Sequence, residues 1–110
     1  MASVRENLIA AKALIDTPEK WLKGKLSDRE ERCFCAYGAV ASVTNYEAGE
    51  DIAMVEALRR ALPHAFAPNP RGILDIAQFN DLPTTTHADV MAWFDRAIAA
   101  SPSSSETSEP

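Results

Sequence analysis

The sequence predicts an all-α fold: a single compact domain of five to six helices around a buried central helix at about residues 33–45. Three observations carry this expectation. Apolar residues recur at three- and four-residue spacing in several segments, which is the period of one helix face. Two of these segments open on a hydroxyl residue followed three places later by an acidic one, Ser3 with Glu6 and Thr86 with Asp89. That is the pattern by which a helix start satisfies its free N–H groups. Between them, Cys33 to Val43 is apolar on all sides, as befits a helix enclosed by others.

The elements follow in order. Behind Ser3, the residues Val4, Leu8, Ala11 and Ile15 form a stripe, giving a helix from about 4 to 15. Asp16-Thr17-Pro18-Glu19 reads as a stop and a restart, with Thr17 as cap and Pro18 at the first helical position, where its missing N–H costs nothing. A short second helix then carries Trp21 and Leu22 and ends near Gly24. Lys25 to Arg32 is a charged, solvated loop with a strand-like approach into Cys33. The Cys33–Val43 run holds Ala36, Gly38, Ala39, Ala41 and Ser42, small residues that let neighbouring helices come close. A buried strand is the alternative, favoured by Phe34, Tyr37 and Val40; length and alanine content favour the helix. A turn at Asn45 to Gly49 leads to a helix from about Asp51 to Leu62, with Ile52, Val55, Leu58 and Leu62 facing inward. Its acidic start and Arg59-Arg60 end both suit the helix dipole. Pro63 stops it, and His64 to Arg71 is irregular. Ile73 to Phe79 resumes a helical pattern that Asn80-Asp81-Leu82-Pro83 ends in a turn. Thr86 caps the last helix, whose inward stripe is Val90, Met91, Phe94, Ala97 and Ile98. Residues 1–100 thus form the helical domain, and residues 101–110, polar apart from proline, form a disordered tail.

Length and charge exclude several classes. A chain of 110 residues holds one domain. Its net charge is −5, spread unevenly: residues 1–32 carry +1 and residues 33–110 carry −6. Nucleic-acid binding draws its affinity from Lys and Arg neutralising phosphates, so a chain whose one basic cluster beyond residue 32 is Arg59-Arg60 is expected not to bind nucleic acid directly. The same field steers the protein toward a basic partner surface. The start of the chain lacks the apolar core of a signal peptide, and no apolar run approaches the roughly 18 residues needed to span a bilayer. A soluble, cytoplasmic protein without membrane contact is expected. The only cysteines, Cys33 and Cys35, are too close for a relaxed disulfide and read as reduced thiols. With His64 and His87 they do not make a zinc pattern, so no metal or other cofactor is expected. Gly24, Gly38, Gly49 and Gly72 are too scattered for a phosphate loop.

Three constellations carry possible chemistry. Cys35, His87 and Asn80 (or Asp81) are the residue types of a nucleophile, its base and an orienting amide or carboxylate. Cys35 falls in the first turn of the central helix, where the dipole favours thiolate, and His87 in the first turn of the last helix. The simpler alternative is a small buried thiol and a histidine at the core edge. Asn80, Asp81, Thr84, Thr85, Thr86 and His87 form a polar cluster between two helices, a candidate binding site whose simpler reading is helix capping. Glu47, Glu50, Asp51 and Glu56 form an acidic run without an intervening basic residue. It is a candidate contact face for a basic partner, or otherwise a solvated helix face, and its spacing is not that of a calcium loop.

Read together, Trp21 after Thr17-Pro18-Glu19, Cys35-Ala36-Tyr37-Gly38-Ala39, Phe79-Asn80-Asp81 and Thr86-His87 resemble a family of small uncharacterised proteins of bacteria and their phages. Its members carry a Trp, a Cys-x-x-Gly-Ala, a Trp-Asn-Asp and a Thr-His in that order. The resemblance runs from about Leu8 to Ile98, with Phe79 standing where the family usually has Trp. It implies no activity; occurrence in phages implies an accessory role, counter-defence against host immunity being one option. The expected function is therefore a non-catalytic, acidic protein-binding module, a phage-type inhibitor or regulator of a host defence protein such as a nucleic-acid-binding effector. The alternatives are a small Cys-dependent hydrolase or transferase using Cys35 and His87, and a small-ligand-binding protein.

Overall fold

The computed structural model of the chain describes residues 3–25, 27–28, 32–44, 50–63 and 73–101. The expected turn at 45–49, the irregular segment 64–72 and the tail 102–110 lie outside them, as does Glu47. Among the described residues there are five α-helices: α1 (Val4–Leu14), α2 (Ala36–Thr44), α3 (Glu50–Arg60), α4 (Ile73–Asp81) and α5 (His87–Ala100). The all-α class read from the periodicity is the class observed. None of these helices is long and apolar enough to cross a membrane.

Both capping boxes form. The Ser3 hydroxyl accepts from the Glu6 N–H at 3.1 Å while the Glu6 carboxylate accepts from the Ser3 N–H at 2.9 Å. Thr86 and Asp89 make the same reciprocal pair at 3.1 and 3.0 Å. Behind the first box, Leu8, Ala11 and Ile15 are buried as the stripe requires; each larger side chain contributes about 1.5–3 kcal/mol of transfer free energy.

The second helix does not form as expected. Only a single 3-10 turn, Pro18–Lys20, follows α1, and Thr17 makes no side-chain cap. The reason is long-range pairing: the Phe34 N–H donates to the Lys20 carbonyl at 2.8 Å and the Leu22 N–H to the Phe34 carbonyl at 2.9 Å. These parallel bonds pull Trp21 into extended backbone, and a second bridge pairs Phe34 with Ser27 in the antiparallel sense. Gly24, with φ of 85°, turns the chain between the two. The same pairing corrects the central helix, which starts at Ala36 rather than near residue 33 and ends at Thr44. Its Ala36, Gly38, Ala39, Val40, Ala41 and Thr44 are buried, but Ser42 is exposed.

The centre is shared between two helices. α2 packs on α1, α3 and α4, while α3 packs on all four of its neighbours. On α3 the inward residues are Met54, Val55 and Leu58. Ile52, expected in that stripe, is instead 62% exposed: it lies two positions before Met54, on the other side of the helix from the residues that α1, α2 and α5 cover. α4 continues through Asn80 and Asp81, which were expected in the following turn. On α5 the buried residues are Val90, Trp93, Phe94 and Ala97, with Met91 and Ile98 half-buried. Trp93 forms the aromatic centre, edge-on to Phe79 at 4.9 Å and to Phe94 at 5.7 Å. Its indole N–H donates to the Leu58 carbonyl at 2.7 Å, and Arg96 Nε donates to the Ala61 carbonyl at 3.0 Å. α5 thereby adds a second bond to the Leu58 carbonyl, which also accepts from the Ala61 N–H at 3.1 Å, and partners the Ala61 carbonyl just past the end of α3.

Candidate functional site

Two of the polar residues singled out in the sequence, Asn80 and Asp81, meet at one junction, where the end of α4 meets the start of α2 and the extended arm at Trp21. Asn80 is its centre and is fully buried. Its Oδ1 accepts from Trp21 Nε1 at 2.6 Å and from the Ala36 N–H at 3.1 Å. Its Nδ2 donates to the Leu22 carbonyl and to Asp81 Oδ1, both at 2.9 Å. A side-chain amide offers two acceptor positions and two donors, and all four are used. Asp81 Oδ1 also accepts from the Gly24 N–H at 2.9 Å, and Lys23 lies over the Trp21 ring at 5.4 Å.

Cys35 stands immediately before α2 and acts as its cap. Its carbonyl accepts from the Ala39 N–H at 2.9 Å and its sulfur from the Gly38 N–H at 3.2 Å. The thiol is only 6% exposed. Burial pushes its pKa above the ordinary thiol value; the Gly38 and Tyr37 N–H groups pull it down, and the Asp81 charge pushes it up again. Desolvation therefore outweighs the helix start, and the sulfur is held as a neutral thiol. Cys33 is half-buried, and its thiol donates to the Glu19 carbonyl at 3.1 Å.

His87 is in the first turn of α5, as the sequence placed it. Its Nε2 lies 2.7 Å from the Ile15 carbonyl oxygen; a carbonyl only accepts, so this nitrogen carries the proton. The ring also leans on Trp21, with centroids 6.0 Å apart. Among the described residues no hydrogen bond joins Cys35 to His87, and Asn80 contacts neither side chain through one. The structure thus brings Asn80 and Asp81 together with Trp21 and gives Cys35 and His87 separate partners.

The acidic run is divided. Glu50 and Asp51 are the first two residues of α3. Glu56, about a turn and a half on, closes on Arg59 through three contacts of 2.7–3.0 Å, and that guanidinium holds the carboxyl below its ordinary pKa. Among the described residues no group of three metal-ligating side chains comes together.

Two features escaped the sequence reading. Trp21, placed by the sequence on a short helix, is a principal partner of the junction through its indole N–H; a largely buried indole needs an acceptor, and that requirement is the available signal. A cleft of about 330 Å³ also opens between the ends of α3 and α4 and one face of α5. It includes Thr84 and Thr85 from the polar cluster, together with Asp89, Ala92 and Arg96. The spacing of those three α5 residues, i, i+3 and i+7, marks a single face and was legible.

Residues 1–100 match a family described as a family of unknown function (DUF6197). No curated protein and no solved structure matches the chain.

Proposed function

The chain belongs to that family of unknown function, and from what its fold leaves uncommitted we propose that it is a non-catalytic binding module that meets a basic protein surface through the start of α3. One observation carries this reading: Ile52, 62% exposed, stands directly after Glu50 and Asp51 in the first turn of α3. An exposed aliphatic side chain within an acidic turn has the make-up of a small interface, an apolar contact with a charged rim. The net charge of −5 adds long-range attraction toward a basic partner. The groups that a Cys-dependent enzyme would use are occupied in holding the fold: Asn80 in four hydrogen bonds, His87 on Ile15, and the Cys35 thiol buried as a cap. A regulator or inhibitor that covers the phosphate-binding surface of a nucleic-acid-binding protein is the role such a face suits, since that surface offers the complementary charge.

Capture from the native host, compared between the wild-type chain and two variants, tests the proposal. Ile52→Arg is expected to lose the captured partner while keeping the wild-type melting temperature, and the pair Glu50→Gln with Asp51→Asn to lose it with a small drop in melting temperature, since that pair also removes charge that suits the start of α3. Association with that partner should slow as salt rises through 0.1 M, where the screening length is about 10 Å. A partner retained equally by both variants and indifferent to salt would overturn the assignment of this face.

A further inference from the structure

Asp89, Ala92 and Arg96 line one wall of the 330 Å³ cleft. Their spacing puts them on one face of α5; the two charged residues are seven positions, or about 10 Å, apart along the helix axis. Phe79, Leu82 and Pro63 supply apolar surface opposite. The two charges do not neutralise each other, because each is tied elsewhere by one atom. Asp89 Oδ2 accepts from the Thr86 N–H at 3.0 Å, and Arg96 Nε donates to the Ala61 carbonyl at 3.0 Å. The second Asp89 oxygen and both terminal nitrogens of Arg96 have no partner among the described residues. The cleft therefore carries an acceptor for a cation at one end, a forked donor for an anion at the other, and apolar walls between.

From this geometry we infer that the cleft is a binding site for a small zwitterion with an apolar body, of the chemistry of an apolar amino acid or dipeptide. Its volume is at the lower end of the roughly 300–1,000 Å³ range of ligand pockets. The ammonium of the ligand pairs with Asp89, its carboxylate with Arg96 as a charge-assisted fork, and its side chain lies over Ala92 against Phe79 and Leu82. An extended dipeptide is about 7 Å long. With one hydrogen bond of about 3 Å at each end it spans about 13 Å and a single amino acid about 9.5 Å, and the two bracket the separation of the charges. A zwitterion has no net charge, so the protein's own −5 neither draws it in nor repels it. The site is independent of the α3 face, and Ile52→Arg leaves it intact.

Calorimetric titration of the full chain with L-leucyl-L-alanine and, separately, with L-leucine tests the inference. Binding of either zwitterion is expected. The N-acetylated dipeptide, which lacks the ammonium, and leucyl-alaninamide, which lacks the carboxylate, should each bind about two- to fivefold more weakly, because each loses one charge-assisted contact to a solvent-exposed side chain. Asp89→Asn keeps an oxygen for the Thr86 N–H but removes the charge. It should weaken the dipeptide by a similar factor and leave the N-acetylated form unchanged relative to the wild type. Ala92→Leu fills the cleft at an exposed helical position and should abolish binding with the fold retained. Absence of heat with both zwitterions, equal binding of the singly charged analogues, or unchanged binding to Ala92→Leu would each overturn the inference; the analogue series needs no variant to fold.

Discussion

Cys35 shows how one residue's surroundings choose between two chemistries. A cysteine at a helix start is in the position that favours thiolate, but this sulfur is desolvated and, among the described residues, accepts from backbone N–H groups alone. Its raised pKa has a definite consequence. Between the unfolded thiol value, about 8.5, and the higher native value, ionisation favours the unfolded chain. The stability contributed by the neutral thiol is therefore complete below about pH 8.5 and is lost as pH rises through the native pKa. Native Cys35 is expected to react slowly with a thiol reagent at neutral pH, at a rate set by opening of the domain, and His87→Ala should leave that rate unchanged. Rapid labelling of the folded chain that depends on His87 would restore the enzyme reading. Asn80 was legible as a polar residue in a cluster, but its partners are Trp21, 59 positions away, and Ala36, 44 positions away. No local pattern encodes such separations.

Helices whose ends are set by neighbouring side chains were read correctly, and those set by distant backbone were not. The Ser3–Glu6 and Thr86–Asp89 boxes involve atoms within four residues of each other, and both formed. Thr86→Ala removes the acceptor for the Asp89 N–H and is expected to cost about 1 kcal/mol in a denaturant titration. Thr17→Ala should cost less than half as much, because Thr17 makes no cap bond despite its place before Pro18. Equal losses at the two positions would show that the capping geometry is not what stabilises α5. The stretch from Pro18 to Gly24 had the residues of a helix start, but its carbonyl and N–H groups are taken by Phe34. Two cross-chain hydrogen bonds and the seating of Trp21 on Asn80 outweigh a short helix that would have stood alone with a costly nucleus.

At the scale of the molecule, α3 and α5 are joined by Trp93 and Arg96, whereas the arm, α2 and α4 are joined by Asn80. This division predicts where a small change has a large effect. Asn80→Ala leaves the Trp21 indole N–H, the Ala36 N–H and the Leu22 carbonyl without their partner, in a place buried at Ala36 and half-buried at Trp21 and Leu22. Unmade bonds of this kind cost about 1–3 kcal/mol each before relaxation. A loss of roughly 3–5 kcal/mol is expected, large against a typical domain stability of about 5–15 kcal/mol. Urea titration of the variant checks it. A cost below about 1 kcal/mol would mean that water replaces the amide and that the junction does not hold the segments together.

By itself the sequence determined the all-α class, the two capping boxes, and most of the stripes on α1 and α5, because each depends on contacts within about one helical turn. It also led to an uncharacterised family, whose match over residues 1–100 the comparison with known families shows. The tertiary structure decided that Pro18–Lys20 stops after one turn, that Ile52 faces outward, that Cys35 is a buried cap with no hydrogen bond to His87 among the described residues, and that Asp89 and Arg96 line one cleft without bonding each other. Each of these outcomes turns on which backbone or side chain arrives from another part of the chain. Periodicity reports the angle between neighbours on one helix, but not which side of that helix the rest of the protein will cover.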